Sequence, residues 1–150
     1  MKRLIFLFCL FLPLLASCGR APVAEEILSD FLYSYPLGGT VYSSERSEGE
    51  EGYISKELLL RVFDYDGQMP NSYAFVLNPH PERGRECGVF ITDDAAEREL
   101  ITELCERRIA AVGDPDGRGI IIRSGRVIAY STDGGEAAER IFSKIIAAHT

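Results

Sequence analysis

Apolar positions along the chain recur at two spacings, and the spacings divide it into elements. Ile27, Leu28, Phe31, Leu32 and Tyr35 fall at helical intervals, which predicts a short amphipathic helix over 24–35, stopped by Pro36 and Gly38-Gly39. Residues 39–52 hold Thr40-Val41-Tyr42 and then a run of Ser, Glu and Gly too polar to bury much surface, so the pattern predicts a solvated loop. Ser55 then stands as an N-cap, with Ile54 before it and Leu59 four residues on as a hydrophobic staple. A short helix follows to Val62 or Phe63, and Asp64-Tyr65-Asp66-Gly67 closes it as a turn.

The second half is patterned more sharply. Ser72–Leu77 is apolar and aromatic between Pro70 and a Pro-rich loop, the signature of a well-buried strand, and 85–91 reads as its hairpin partner. Asp94 with Glu97 fits a capping box, after which Ile101, Leu104, Cys105, Ile109 and Val112 define one face of a long helix that Gly113 and Pro115 end. Residues 119–123 and 126–131 are strand-like around Ser124-Gly125, a tight-turn signal that predicts a second hairpin. Asp133 and Glu136 repeat the capping-box pattern before Ala138, Ile141, Phe142, Ile145 and Ile146, the face of a last helix. The order strand, strand, helix, strand, strand, helix predicts an α+β fold: a two-layer sandwich, an antiparallel sheet with both of these helices on one face, preceded by two short N-terminal helices.

The N-terminus has a different pattern. Lys2 and Arg3 precede an uncharged run from Leu4 to Leu15, which is the outline of a secretory signal. The run is about a dozen residues where a spanning helix needs roughly 20. It leads into Leu15-Ala16-Ser17-Cys18, an aliphatic residue, two small ones and a cysteine, which resembles the lipobox of bacterial lipoproteins at all four positions. The resemblance implies cleavage before Cys18, a diacylglyceryl thioether on its sulfur, and partnership with a membrane through that lipid. Each buried CH₂ contributes about 0.8 kcal/mol, so two or three acyl chains hold a domain on a bilayer without a spanning segment. The expected organisation is a signal peptide over 1–17, a lipidated leash over 18–23 and a single domain over 24–150, exported and facing outside the cytoplasm.

Composition narrows the partners. The whole chain carries −7, and its signal contributes two cations and no acid, so the remainder is more acidic still. That disfavours nucleic acid and anionic lipid surfaces, which are bound through basic patches. Of the four cysteines, Cys9 leaves with the signal and Cys18 takes lipid; Cys87 and Cys105 then either bridge across a helix–sheet contact or stay separate as buried thiols.

Candidate chemistry is sparse. The two histidines, His80 between prolines and His149 next to the last residue, are poorly placed as catalytic bases. Asp64 to Gly67 and Asp114-Pro115-Asp116-Gly117 resemble fragments of calcium loops without the third acid and distal Glu, and turn chemistry accounts for both. Glu48, Glu50 and Glu51 are a weak cation cluster, and too few Cys and His survive processing for structural zinc, so no metal or cofactor is expected. Gly134-Gly135 lies at a helix start but lacks the lysine of a phosphate loop. Arg83 and Arg85 in one hairpin, with Arg118, Arg123 and Arg126 around the other, would make a local basic spot if they gathered at one end of the sheet. Tyr33, Tyr35, Tyr42 and Tyr53 either pack on the domain or stack on glycan or peptide.

Thr40-Val41-Tyr42, Glu51-Gly52-Tyr53-Ile54 with Leu58-Leu59-Leu60, and Gly88-Val89-Phe90-Ile91 with Leu104-Cys105-Glu106-Arg107-Arg108 resemble small uncharacterised proteins of clostridia and their relatives, many of them short lipoproteins. The resemblance spans roughly 39–130 and brings no active-site residues; it implies a single-membrane envelope with the domain on its outer face. Two classes of function remain in view, and a third beside them. A non-enzymatic binding or accessory module for an envelope protein, peptide or small solute fits best. A hydrolase of envelope polymers would need convergent acids, with Glu82, Glu86 and Asp116 as candidates. A structural or assembly lipoprotein would need an exposed apolar patch.

Overall fold

Side-chain chemistry marks the starts of two of the four described helices. The computed structural model describes residues 21–79, 85–112 and 119–150. The signal, Cys18, His80, Glu82, Arg83, Arg118 and the Asp114 to Gly117 turn, with Asp116, lie outside the described residues. Helix α1 is Ala24–Ser34. It has no side-chain cap of its own; the Ala24 N–H instead donates to Ser72 Oγ at 3.0 Å, which fastens the start of the helix to the sheet. Strand β1, Thr40–Ser43, follows, then helix α2, Lys56–Phe63. Ser55 caps α2 by accepting from the Leu58 N–H at 3.2 Å, and Asp64, in the left-handed conformation, ends it with its N–H on the Leu60 carbonyl at 2.9 Å.

Strands β2, Ser72–Leu77, and β3, Cys87–Ile91, lead into helix α3, Ala95–Val112. At its start Asp94 Oδ1 accepts from the Glu97 N–H at 2.8 Å, while the Glu97 carboxylate takes the Thr92 hydroxyl rather than closing the reciprocal box. Strands β4, Ile120–Ser124, and β5, Val127–Ser131, form the second hairpin, and helix α4, Glu136–His149, completes the chain. The expected Asp133 cap on α4 does not form: Gly135 is the N-cap, no side chain caps it, and Asp133 faces Arg85 at 3.7 Å instead.

The sheet is antiparallel throughout, in the order β1-β2-β3-β5-β4. Because β5 lies between them, β3 and β4 run parallel and α3 is the crossover that joins them. Part of the stretch expected as loop is therefore strand: β1 pairs Thr40 with Leu77 and Ser43 with Ala74, and Tyr42 stacks on Phe75 with ring centroids 5.8 Å apart. Gly39 lets the chain enter that register, since a Cβ there would lie 2.5 Å from the Leu77 carbonyl oxygen.

The α+β class and antiparallel sheet are as expected, but α3 and α4 lie on opposite faces, so the sandwich has three layers rather than two. On one face Ala74, Val76, Val89 and Ala129 pack against Ile27, Leu28 and Phe31 of α1 and Phe142 and Ile146 of α4. Phe31 and Phe142 stack with centroids 3.6 Å apart. On the other face Phe75, Phe90, Ile128 and Tyr130 pack against Leu59 and Phe63 of α2 and Ile101 and Leu104 of α3. The physical reason is in the central strands: every residue of β3 and of β5 is buried, and strands without polar alternation must be covered on both sides.

Candidate functional site

The sheet has two ends with different chemistry. At one, the turn before β2, the end of β3 and the β4–β5 turn meet the start of α3, and between them lies an open cleft of about 420 Å³. That is within the range of small-ligand sites, about 300–1,000 Å³. Met69 and Ile91 give it an apolar floor, being 8% and 4% exposed. Gln68, Asn71 and Ser72 form one lip, and Thr92, Asp93, Asp94, Glu97 and Arg126 the other. Ala21 and Pro22, where the described chain begins, also line it.

Most of the charge in the cleft is already engaged. Arg126 meets Asp93 through two 2.8 Å contacts, Nη2 to Oδ2 and Nε to Oδ1. Asp94 and Glu97 are occupied as cap and hydroxyl acceptor at the start of α3, and buried Thr92 donates to Glu97 while accepting from the Asp94 N–H at 3.1 Å. A carboxylate has more acceptor sites than one donor fills, so the wall still offers acceptors to an amine, amide or hydroxyl. Three carboxylates face one guanidinium, and the cleft is acidic.

The opposite end holds a closed polar cluster. Glu86, 1% exposed, takes Nε and Nη2 of Arg108 on its two carboxylate oxygens, each at 2.8 Å. Arg108 Nη1 also donates to the Val62 carbonyl at 3.2 Å, so α2 and α3 are joined through it. The Glu86 backbone is held by Thr132, whose Oγ accepts its N–H at 2.8 Å. Beside them Tyr130 is fully buried, its hydroxyl has no hydrogen-bond partner among the described residues, and burial, reinforced by the Glu86 charge, pushes its ionisation well above the usual tyrosine value. Its ring lies over Gly88, where a Cβ would come within 2.6 Å of Tyr130 Cε1. Glu86 and Arg108 thus serve the packing of α2 and α3 on the sheet.

Other sequence candidates are dispersed. Cys87 and Cys105 are free thiols in different cores, Cys87 on β3 facing α1 and α4 and Cys105 on α3 in the core of the opposite face, so the bridge between them does not form. Burial pushes both thiols far up. His149 Nε2 lies 2.9 Å from Asp30 Oδ2, linking α4 to α1 at the surface. The described arginines do not gather: Arg85 is at the closed end, Arg123 and Arg126 are at the cleft end, and each faces a carboxylate, Asp133, Glu99 and Asp93 in turn. Tyr33 is 90% exposed, whereas Tyr35 and Tyr42 pack onto the cores. No group of three or more metal-ligating side chains occurs among the described residues, and no described helix is long and apolar enough to cross a membrane.

Sequence reasoning missed the cleft. Gln68, Asn71, Thr92 and Asp93 carry no motif, and the signals near them mark only turns and a cap. The chain matches no known protein family, no curated protein and no solved structure.

Proposed function

We propose that this chain is an exported lipoprotein, lipidated on Cys18, whose domain is a non-enzymatic binding or accessory module for a protein, peptide or small solute at the cell envelope. The observation that carries the reading is the lipobox-like Leu15-Ala16-Ser17-Cys18 behind a short cationic and apolar leader. Its supports are the short distance along the chain from Cys18 to α1 and the open, acceptor-rich cleft beside the point where the chain enters the fold. The envelope location, the lipid and the likeness to small clostridial lipoproteins belong to this proposal.

Glu86, one of the acids on which a hydrolytic cleft would depend, is locked to Arg108 and shut from solvent, so nothing among the described residues favours the hydrolase reading over the binding one. The test is intact mass of the membrane-extracted chain, native and Cys18→Ala. A chain beginning at Cys18 with a lipid-sized increment, absent from the variant, is the expected result. An unmodified chain would refute the tether.

A further inference from the structure

The point where the chain enters the fold decides which end of the domain a lipid on Cys18 would hold down. Ala21, which lines the cleft, follows Cys18 by three positions, and three residues reach at most about 10 Å when fully extended. The entry point does not hang from a loop, because the Ala24 N–H is bonded to Ser72 Oγ at the start of β2. A strand of the length of β2, Ser72–Leu77, runs about 20 Å from the cleft end to the closed end. The leash is therefore shorter than the sheet, and the closed end cannot turn down to the membrane while the lipid stays inserted.

Resting on the lipidation reading above, we propose that the domain docks on the bilayer through the cleft end of its sheet, with the cleft mouth against the headgroups. The surface it fits presents ammonium groups, as phosphatidylethanolamine does. Asp93, Asp94 and Glu97 rim the cleft, and Glu25 and Glu45 border the adjoining hollow at the start of α1. Among the described residues the nearby cations are already matched, Arg126 to Asp93 and Arg46 to Glu25, the latter at 2.7 Å, and the leash adds one further cation, Arg20, against the five acids. This leaves a carboxylate excess within about one Debye length, roughly 8 Å at physiological salt, of whatever the leaflet displays. Ammonium groups are attracted there and phosphatidylglycerol repelled. A short tether also supplies an effective concentration in the mM range, so individually weak headgroup contacts suffice to orient the domain.

The experiment uses the lipidated chain reconstituted in vesicles, with a fluorophore on Asn71→Cys at the cleft lip or on Gly38→Cys near the closed end. Asn71 is exposed, a Cβ at Gly38 meets nothing within 4 Å, and the native Cys87 and Cys105 are buried from the label. Vesicles of phosphatidylcholine and phosphatidylethanolamine carry a headgroup quencher. Several-fold stronger quenching at position 71 than at 38 is expected, weakened when phosphatidylglycerol replaces phosphatidylethanolamine and regained with added salt. Equal quenching at the two positions on vesicles that carry the protein would overturn the docking while leaving the lipid reading intact. Indifference to the lipid exchange would overturn the ammonium preference. A chain that neither floats with vesicles nor shows lipid mass would overturn the tether and this inference together.

Discussion

Replacing Arg108 by methionine tests whether the closed end of the sheet is held by one buried ion pair. Glu86 is 1% exposed and both of its carboxylate oxygens are taken by Arg108 at 2.8 Å. The substitution strands that carboxylate in the core beside Tyr130 and deprives the Val62 carbonyl of its Arg108 donor. Breaking a buried pair from one side costs about 3–5 kcal/mol, whereas losing an exposed pair costs at most about 1 kcal/mol. At about 4 °C per kcal/mol for a domain of this size, Arg108→Met is expected to lower Tm by about 12–20 °C. Replacing both partners removes the stranded charge, so Glu86→Leu with Arg108→Met recovers most of the loss. Urea and thermal unfolding of the chain from Ala21 onward, followed by circular dichroism for wild type, both single variants and the double, measures all the corners of the cycle. An Arg108→Met variant within about 1 kcal/mol of wild type, or a double variant that loses the sum of the singles, would refute the argument.

Gly88→Ala is expected to cost about 1–3 kcal/mol in the same melts, because its Cβ would meet Tyr130 Cε1 at 2.6 Å and Phe75 Cβ at 3.0 Å, while Gly38→Ala, in open space, should change little. Tyr130→Phe removes a buried hydroxyl with no partner among the described residues and is expected to leave stability unchanged or raise it by about 1 kcal/mol; a clear loss in urea unfolding would show that the hydroxyl is bonded. Both Cys87 and Cys105 should resist a thiol reagent in the native protein and react fully once it is unfolded, and a non-reduced mass lacking two thiol protons would contradict their separation. Glu25 lies below its ordinary value because Arg46 bonds to its carboxylate, against a smaller opposing effect of burial, so the pair stabilises the fold above the unfolded Glu value and the gain fades as pH falls through the depressed folded one. Arg46→Ala should therefore cost about 0.5–1 kcal/mol near neutral pH, and its stability curve should converge on wild type in acid.

Local chemistry was legible and layering was less so. Ser55 and Asp94 cap their helices because a side-chain oxygen and an N–H three residues on are fixed by the helix itself. The same pattern at Asp133 misleads, since Arg85 arrives from the segment before β3 and competes for the carboxylate. The face that α3 takes depends on where β4 inserts, with β5 between it and β3, and no spacing within α3 carries that information. The signal that does carry it is the unbroken apolar run of β3 and β5. Thr40 to Tyr42 belongs to a stretch whose polar composition predicts loop, and it becomes strand because Gly39 and the neighbouring β2 place it in register.

The cleft escapes sequence reasoning for a related reason, and that reason governs how it can be tested. Its walls come from Pro22, Met69, Thr92 and Arg126, residues brought together only by the sheet, and each has a sufficient local role as leash, core, cap or turn. Asp94 and Glu97 are at once the polar wall of the cleft and the start of α3, so substituting them confounds recognition with the anchoring of an 18-residue helix. Asn71 and Gln68 stand on the opposite lip, and both are exposed. A change in binding produced at those two positions, with unfolding unchanged, separates a recognition surface from a by-product of capping. The residues least conspicuous in the sequence are thus the ones that discriminate.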